Sequence, residues 1–361
     1  MTHPVHARQV TGGVDTHGRT HHAAVIDGLG RHLADREFPA TAAGYRDLYA
    51  FLTFHGDLVA VGVEGTGAYG AELARHLARE GVTVIDVDRP DRKTRRMKGK
   101  SDPIDAYAAA TAVASGRASG SPKARTGAVE AIRVLRIARR SAVKARTQAM
   151  NQIRGLLVSA PAALREHLGD LPRTELIRTL ARLRPGADLA DPVNATKAAL
   201  RRLARRHQLM DAEIAELDAE LAPLVRQSAP GLLELFGVGL ETAGQLLTTA
   251  GDNPERMRSE AAFAHLAGVA PIPASSGRTH RHRLNRGGDR AANNALHTIT
   301  LVRMRYDERT RTYVERRTRE GLSKKEIMRC LKRFIAREVY QALIAASPAH
   351  TAHTTPHALA A

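Results

Sequence analysis

Four carboxylates stand where strand ends and a helix start can converge on one edge of a sheet. Asp15 closes the strand-like run Val10-Thr-Gly-Gly-Val-Asp15 and Glu64 closes the apolar run Leu58-Val-Ala-Val-Gly-Val-Glu64, while Asp102 and Asp105 lie three apart in Lys100-Ser-Asp102-Pro-Ile-Asp105. Mg²⁺ prefers hard oxygen ligands and needs only a few carboxylates besides phosphate oxygens. The chain around these acids carries a formal net charge of +18. An acidic pocket inside a basic protein suits metal-assisted chemistry on a phosphodiester. A second constellation sits in the last third, where Ser276 and Gly277 are followed by Arg278, Arg281, Arg283 and Arg286. It places a hydroxyl among cations able to bind phosphate, although Ser-Ser-Gly is also a common loop.

Each acid has a plainer reading. Asp102 before Pro103 has the pattern of a helix N-cap with proline at the first helical position, and Asp105 would complete a capping pair. Asp15 before Thr16-His17-Gly18 fits a turn, and Glu64 before Gly65-Thr-Gly67 fits a strand end. Against these stands the coincidence of all four, with the basic stretch Arg89 to Lys100 leading into the last pair.

The elements that must position the acids follow from periodicity. Runs at 10–15, 21–27 and 32–38 alternate like three successive antiparallel strands. Helical spacing then runs from Ala42 to Phe54, a strand pattern covers 58–64, a helix Ala68 to Arg79, a strand Val82 to Val87, and a last helix opens at Asp102. Three strands, helix, strand, helix, strand, helix is the order of the α/β ribonuclease H-like fold. In that fold the first strand, the fourth strand and the last helix assemble a metal site.

The remainder is helical and basic. Gly116-Arg-Ala-Ser-Gly-Ser-Pro-Lys reads as a linker, and Val129 to Val158 as a long helix carrying Arg133, Arg136, Arg139, Arg140, Lys144, Arg146 and Arg154. So many cations suit a surface that faces nucleic acid, the alternative being a solvated face. Leu200, Leu203, His207, Met210, Ile214, Leu217, Leu221 and Leu224 follow spacings of three and four, as in a coiled-coil seam with His207 its one polar position. Such a seam pairs within the chain or between subunits, and assembly is the reading it favours. Gly237-Val-Gly239 before a small-residue helix has the form of a helix-hairpin-helix element, whose N–H groups can meet a phosphate. The domains expected are therefore a flexible start (1–9), a metal-binding domain (10–115), a linker with basic helix and coiled coil (116–228), a mainly α C-terminal domain (229–345) and a disordered tail (346–361).

Composition narrows the partners. Trp is absent and aromatics make up 4% of residues, so base stacking is a poor main source of affinity and phosphate contacts should dominate. The single cysteine, Cys330, excludes an internal disulfide and a cysteine-based metal cage, and a reducing cytoplasm is the natural setting. The first residues lack a signal-peptide core and no run is long enough to span a bilayer, so no membrane partner is expected.

The strings Gly13-Val-Asp15-Thr-His, Gly62-Val-Glu64-Gly-Thr-Gly, Lys100-Ser-Asp102-Pro-Ile-Asp105-Ala, Gly237-Val-Gly239 and Gly268-Val-Ala-Pro271 with Ser276-Gly277 occur in this order along nearly the whole chain. In them the sequence resembles the DEDD transposases of the insertion sequence 110 family. The resemblance implies a RuvC-like domain whose metal ligands are Asp15, Glu64, Asp102 and Asp105, with Mg²⁺ or Mn²⁺ as cofactor. It also implies a coiled-coil connection and a C-terminal transposase domain whose catalytic serine matches Ser276, with Ser275 departing from the usual neighbour. It implies donor and target DNA chosen by an element-encoded bridge RNA, and a tetrameric synapse. A covalent phosphoserine intermediate would conserve the phosphoester bond, in keeping with the absence of a phosphate-binding P-loop motif. Two other classes stay open: a hydrolytic, junction-resolvase-like metal nuclease that makes no use of Ser276, and a non-catalytic nucleic-acid-binding remnant.

Overall fold

The computed structural model describes residues 8–87, 101–278 and 282–346. The expected flexible start up to residue 7, the basic stretch 89–100, Arg281 and the tail beyond 346 lie outside the described residues. Contacts divide the chain into two compact units, one of Met1–Gly127 with Ala250–Ser259, the other of Ala128–Thr249 with Glu260–Ala361.

The first unit is built on β1 (Gln9–Thr16), β2 (Thr20–Asp27), β3 (His32–Pro39), β4 (Asp57–Glu64) and β5 (Val84–Val87), in the spatial order β3-β2-β1-β4-β5. β1 to β3 pair antiparallel, and β4 lies parallel to both β1 and β5. With α1 (Ala42–Phe54), α2 (Ala71–Arg79) and α3 (Asp102–Ala114), this order fits the ribonuclease H-like expectation. Helix α1 starts where Thr41 caps it, its hydroxyl accepting from Gly44 N–H. Helix α2 begins three residues later than its apolar spacing suggests. Gly65 takes a positive φ of 71° and its carbonyl accepts from the N–H groups of Ala68 and Gly70, so residues 65–70 form turns instead.

The two faces of the sheet are filled differently. Val14, Val25, Val61 and Val63 pack with Leu48 and Leu52 of α1 and Leu73 and Leu77 of α2 into one core. On the other face the strands present Gly13 and Gly62, paired in register, and α3 approaches them. A Cβ on Gly13 would stand 2.1 Å from the Ala106 carbonyl oxygen, and one on Gly62 would stand 2.8 Å from that of Ala109. Glycine on the strands and alanine on the helix thus bring backbone against backbone. The unit also holds the segments around 120 and 253: Asp86 N–H donates to Gly120 O, and Asn253 accepts from Ala124 N–H while donating to Pro122 O.

The second unit comprises α4 (Ala128–Val158), α5 (Ala162–Leu168), α6 (Arg173–Ala181), α7 (Pro192–Ser228), α8 (Pro230–Glu234), α9 (Leu240–Ala250), α10 (Glu260–Leu266), the short strands β6 (Ile272–Pro273) and β7 (His282–Arg283), α11 (Arg290–Tyr306), α12 (Glu308–Arg319) and α13 (Lys324–Ala345). Helices α4 and α7 run antiparallel, bridged by Arg139 to Asp218 and, one end further, by Arg146 to Asp211. The apolar seam of α7 is buried at Leu200, Ala204, His207, Ile214, Leu217, Leu221 and Val225. Ala204 and Val225 replace Leu203 and Leu224 in the innermost rank, because a 3.6-residue helix drifts against a strict heptad. The seam expected to favour subunit assembly is covered by α4 of the same chain, so it is occupied within the fold. His207 is buried with Nε2 3.1 Å from an Arg173 guanidinium nitrogen, and burial first, then that cation, lower its pKa. Among the described residues no helix is long and apolar enough to cross a membrane.

We expect Gly13→Ala to push α3 off the sheet, since the added methyl meets main chain and not a movable side-chain end. The cost should be about 1–3 kcal/mol or more, read as a lowered unfolding midpoint. Gly28→Ala, with nothing within 4 Å of the new methyl, is the matched control.

Candidate functional site

Strand parity determines which acids meet. Residues two apart on a strand share a face, so Asp15 follows Gly13 and Glu64 follows Gly62 onto the side where α3 packs. The strand ends are tied by the Thr16 hydroxyl, which donates to the Glu64 carbonyl at 2.7 Å. Asp86 on β5 is excluded by the same rule: it pairs in register with Val63, which belongs to the opposite core, and accepts from the Thr66 hydroxyl at 2.5 Å. Helix α3 supplies the other two acids. Its N-cap is Ser101, so the capping reading of Asp102 is corrected: Asp102 is the first helical residue, followed by Pro103. Asp105 N–H closes the first turn on Ser101 O at 3.1 Å, and Asp102 and Asp105 are thereby one turn apart on one face. Both acids lie at the positive end of the helix dipole.

Asp15 is 6% and Asp105 2% exposed, whereas Asp102 is half-buried. Burial raises the Asp15 pKa, His17 opposes that rise, and the charges of Asp105 and Asp102 add to it. Carboxylates close enough to resist one another's ionisation form a site that gains from a cation. His17, not among the residues expected at the site, stands beside these acids. Its Nε2 lies 3.1 Å from Asp15 Oδ2 and 3.3 Å from Asp102 Oδ1. One donor atom from each of Asp15, His17 and Asp102 falls within a span of 4.8 Å, a spacing that fits a metal ion. Asp15-Thr16-His17 puts an imidazole two residues after a strand-end acid, but β1 ends at Thr16, so alternation alone does not fix the side on which His17 falls.

Ser276 lies in the other compact unit, in the hairpin of β6 and β7, where Ile272 pairs with Arg283 and Pro273 with His282. Ser275, Ser276, Gly277 and Arg278 are all exposed, and Gly277 takes a positive φ of 53°. The base of the hairpin is clamped. Asn293 donates to the carbonyls of Ala267 and Gly268 at 3.2 and 2.9 Å. Gly288 approaches the same loop so closely that a Cβ there would stand 2.6 Å from Gly268 N. Asp289 caps α11 by accepting from Ala291 and Ala292 N–H, and accepts from the Thr249 hydroxyl as well. Beside the base opens a cleft of about 790 Å³ lined by Arg283, Arg329, Lys332, Arg333, Leu284 and Phe334 among others. Lys332 donates to Asn293 Oδ1 at 2.8 Å, and burial lowers its pKa.

The other expected nucleic-acid contacts separate by partner. Arg133 pairs with Glu130, and Arg136, whose side chain is 10% exposed, reaches Glu241 and Gln245. Arg140 and Lys144 are exposed one turn apart on α4, and Arg283 and Arg286 are exposed near the hairpin. Gly237 takes a positive φ of 81° against Val302 and Arg303 of α11. The Gly239 N–H donates to the Thr242 hydroxyl at 3.0 Å, so that turn satisfies one of its own donors.

Asn293→Ala should loosen the hairpin without exposing the core. Amide exchange at residues 267–278 should accelerate at least about tenfold, as expected for a local opening, while exchange in α4 and α7 stays unchanged. Equal protection in the two proteins would assign the hairpin's order to its glycines alone.

Two sequence profiles match the chain, one described as transposase over residues 12–160 and one described as the transposase IS116/IS110/IS902 family over residues 229–315. The chain is 29% identical over 321 residues to a Streptomyces coelicolor protein named as the mini-circle transposase for IS117, covering 74% of this chain and 78% of that one. It is 37% identical over 93 residues to the 43.6 kDa protein of insertion element IS110 of the same organism, covering 26% of this chain and 23% of the relative. It is 30% identical over 140 residues to the 42 kDa protein of insertion element IS900 of Mycobacterium paratuberculosis, covering 38% and 34%. The first profile spans the sheet with its acidic edge and the second spans the serine hairpin, each residue set meeting the family that its motifs suggested. On these matches the chain belongs to the insertion sequence 110 family of DEDD transposases and is an enzyme of DNA recombination.

Proposed function

We propose that this transposase cuts and rejoins DNA through a covalent phosphoserine intermediate at Ser276, with a divalent ion held by Asp15, Glu64, Asp102 and Asp105. The observation that carries the metal half is the gathering of Asp15, Asp102 and Asp105, with the charges of Asp105 and Asp102 bearing on Asp15 at a half-sealed sheet edge in a chain of net charge +18. A divalent ion bound there stabilises the charge that develops on a scissile phosphate and its leaving oxygen. Ser276 Oγ attacks phosphorus, an Oγ–P bond forms, the bond from phosphorus to one strand end breaks, and the serine proton passes to the departing oxygen. Reversal with a new strand end restores the serine hydroxyl and needs no nucleotide cofactor. Arg278, Arg281, Arg283 and Arg286 are the cations that neutralise phosphate oxygens around the serine, and Gly277 leaves room for a strand to approach.

In this reading residues 10–115 hold the metal, 116–228 form the connection with Arg133, Arg136, Arg140 and Lys144 toward nucleic acid, and 229–345 carry the serine and the turn of Gly237 and Gly239. Selection of donor and target DNA by a bridge RNA, and assembly as a tetramer, enter through the family resemblance. A hydrolytic nuclease using the same acids and water is the second reading, favoured by the gathering of Asp15, Asp102 and Asp105 within one compact unit, with Ser276 in the other.

One test checks the metal site that both readings share, and a second separates them. Asp15→Asn, Asp102→Asn and Asp105→Asn should each abolish recombination and weaken divalent-ion binding by about tenfold or more, with nucleic-acid affinity largely kept. Asp102→Asn is the most informative, because Ser101 and not Asp102 occupies the N-cap position of α3 and the fold should be preserved. Full activity in all three would remove the metal site. Incubation with bridge RNA, Mg²⁺ and cognate DNA, followed by denaturation and proteolysis, should yield a DNA-linked peptide containing Ser276. Ser276→Ala should lose the adduct while Ser275→Ala keeps it; the reverse pattern would shift the nucleophile by one residue, and cutting by both variants would establish water as the nucleophile.

A further inference from the structure

The acidic edge has a nitrogen donor pointed into it. We infer that His17 is a ligand of the divalent ion, which makes this a mixed nitrogen and oxygen site that takes a first-row transition ion, Mn²⁺, in preference to Mg²⁺. The inference rests on the metal site proposed above and adds to it both a residue and a preference.

Three histidines stand on the β1–β2 hairpin, and their surroundings distinguish them. His21 is fully buried, with its ring stacked on Tyr45 at 5.6 Å and its Nδ1 3.0 Å from the Thr20 carbonyl. His22, the register partner of Asp15, is turned away to Asp35, 2.7 Å from its Nε2. His17 alone of the three reaches the acids proposed as ligands. Its main chain is fixed by the hydrogen bond from His17 N–H to Thr20 O at 3.0 Å, which closes the hairpin turn, so the ring is carried by a held backbone.

The distances fit a ligand. Neighbouring ligands around an octahedral ion with bonds of 2.0–2.1 Å lie about 3 Å apart. The His17 Nε2 separations of 3.1 and 3.3 Å from Asp15 Oδ2 and Asp102 Oδ1 match that spacing. An ion placed among the three atoms takes the position of the hydrogen in these contacts, with no large movement of strand or helix. The side chains of His17 and Asp102 remain 43% and 42% exposed, which leaves an open side for phosphate oxygens or water to complete the coordination. Mg²⁺ favours an all-oxygen shell and gains little from imidazole; Mn²⁺ shares that liking for carboxylate oxygen but, as a first-row transition ion, gains more than Mg²⁺ from one ring nitrogen. A single nitrogen among carboxylates therefore biases the site without closing it to Mg²⁺.

The full chain loaded with Mn²⁺ gives a direct readout by pulsed electron paramagnetic resonance. The wild type should show a nitrogen coupling typical of a directly bound imidazole, and His17→Ala should lose it. In titrations His17→Ala should weaken Mn²⁺ binding about tenfold or more, while Mg²⁺ affinity changes less than about twofold. Mn²⁺ bound to the wild type without nitrogen coupling would overturn the inference, leaving His17 as an ion-pair partner of the two acids, and so would a coupling that survives in His17→Ala. Failure of the wild type to bind either ion overturns the inference too, and with it the four-acid reading, so the two failures are distinct. The wild-type spectrum decides the question even if the variant folds poorly.

Discussion

The contact between α3 and the strands carrying Gly13 and Gly62 holds the rest of the acidic edge in place. A side chain at either glycine would keep the helix off the sheet, and Asp102 and Asp105 ride on the first turn of that helix. The opposite face of the same sheet is filled by ordinary apolar packing of valines against leucines, which tolerates small adjustments of side-chain shape. Backbone against backbone does not. The geometry that brings Asp15 of β1 together with Asp102 and Asp105 of α3 is thus fixed by the absence of side chains at two positions.

Charge explains why such precision is needed. Carboxylates brought together in a half-buried place resist ionisation, and the Asp15 pKa is raised first by burial and then by Asp105 and Asp102. The helix dipole at the start of α3 and the ring of His17 offset part of this cost within the protein. A net charge of +18 over the whole chain, the acids included, favours the approach of a polyanion to an edge that would otherwise repel it. An acidic centre and a basic surface are therefore two parts of one electrostatic arrangement.

The serine hairpin follows a different design. Its two strands are only two residues each, too short to be stable by themselves. Order comes from its base, where Asn293, Gly288 and Asp289 tie the loop ends to α11, while Ser275 to Arg278 stay exposed. A fixed base with an exposed tip leaves the Ser276 hydroxyl open to solvent.

Sequence periodicity alone determined most of the elements. The alternation of 10–15, 21–27 and 32–38 and the spacing of 42–54 register burial on one face, a local property of strands and helices, and the structure has β1 to β3 and α1 there. The acids themselves were legible for the same reason, since they end predicted strands and begin a predicted helix. Tertiary structure decided what depends on partners distant in sequence. Asp102 could have been a cap until Ser101 took that position, and Arg136 reads as a free cation until Glu241, more than a hundred residues away, neutralises it. The seam of α7 has the same pattern whether α4 or another subunit covers it, and only the fold assigns it to α4. His17 reads as a loop residue in the linear chain; its meaning depends on Asp102, brought within 3.3 Å by a helix that two glycines allow to dock.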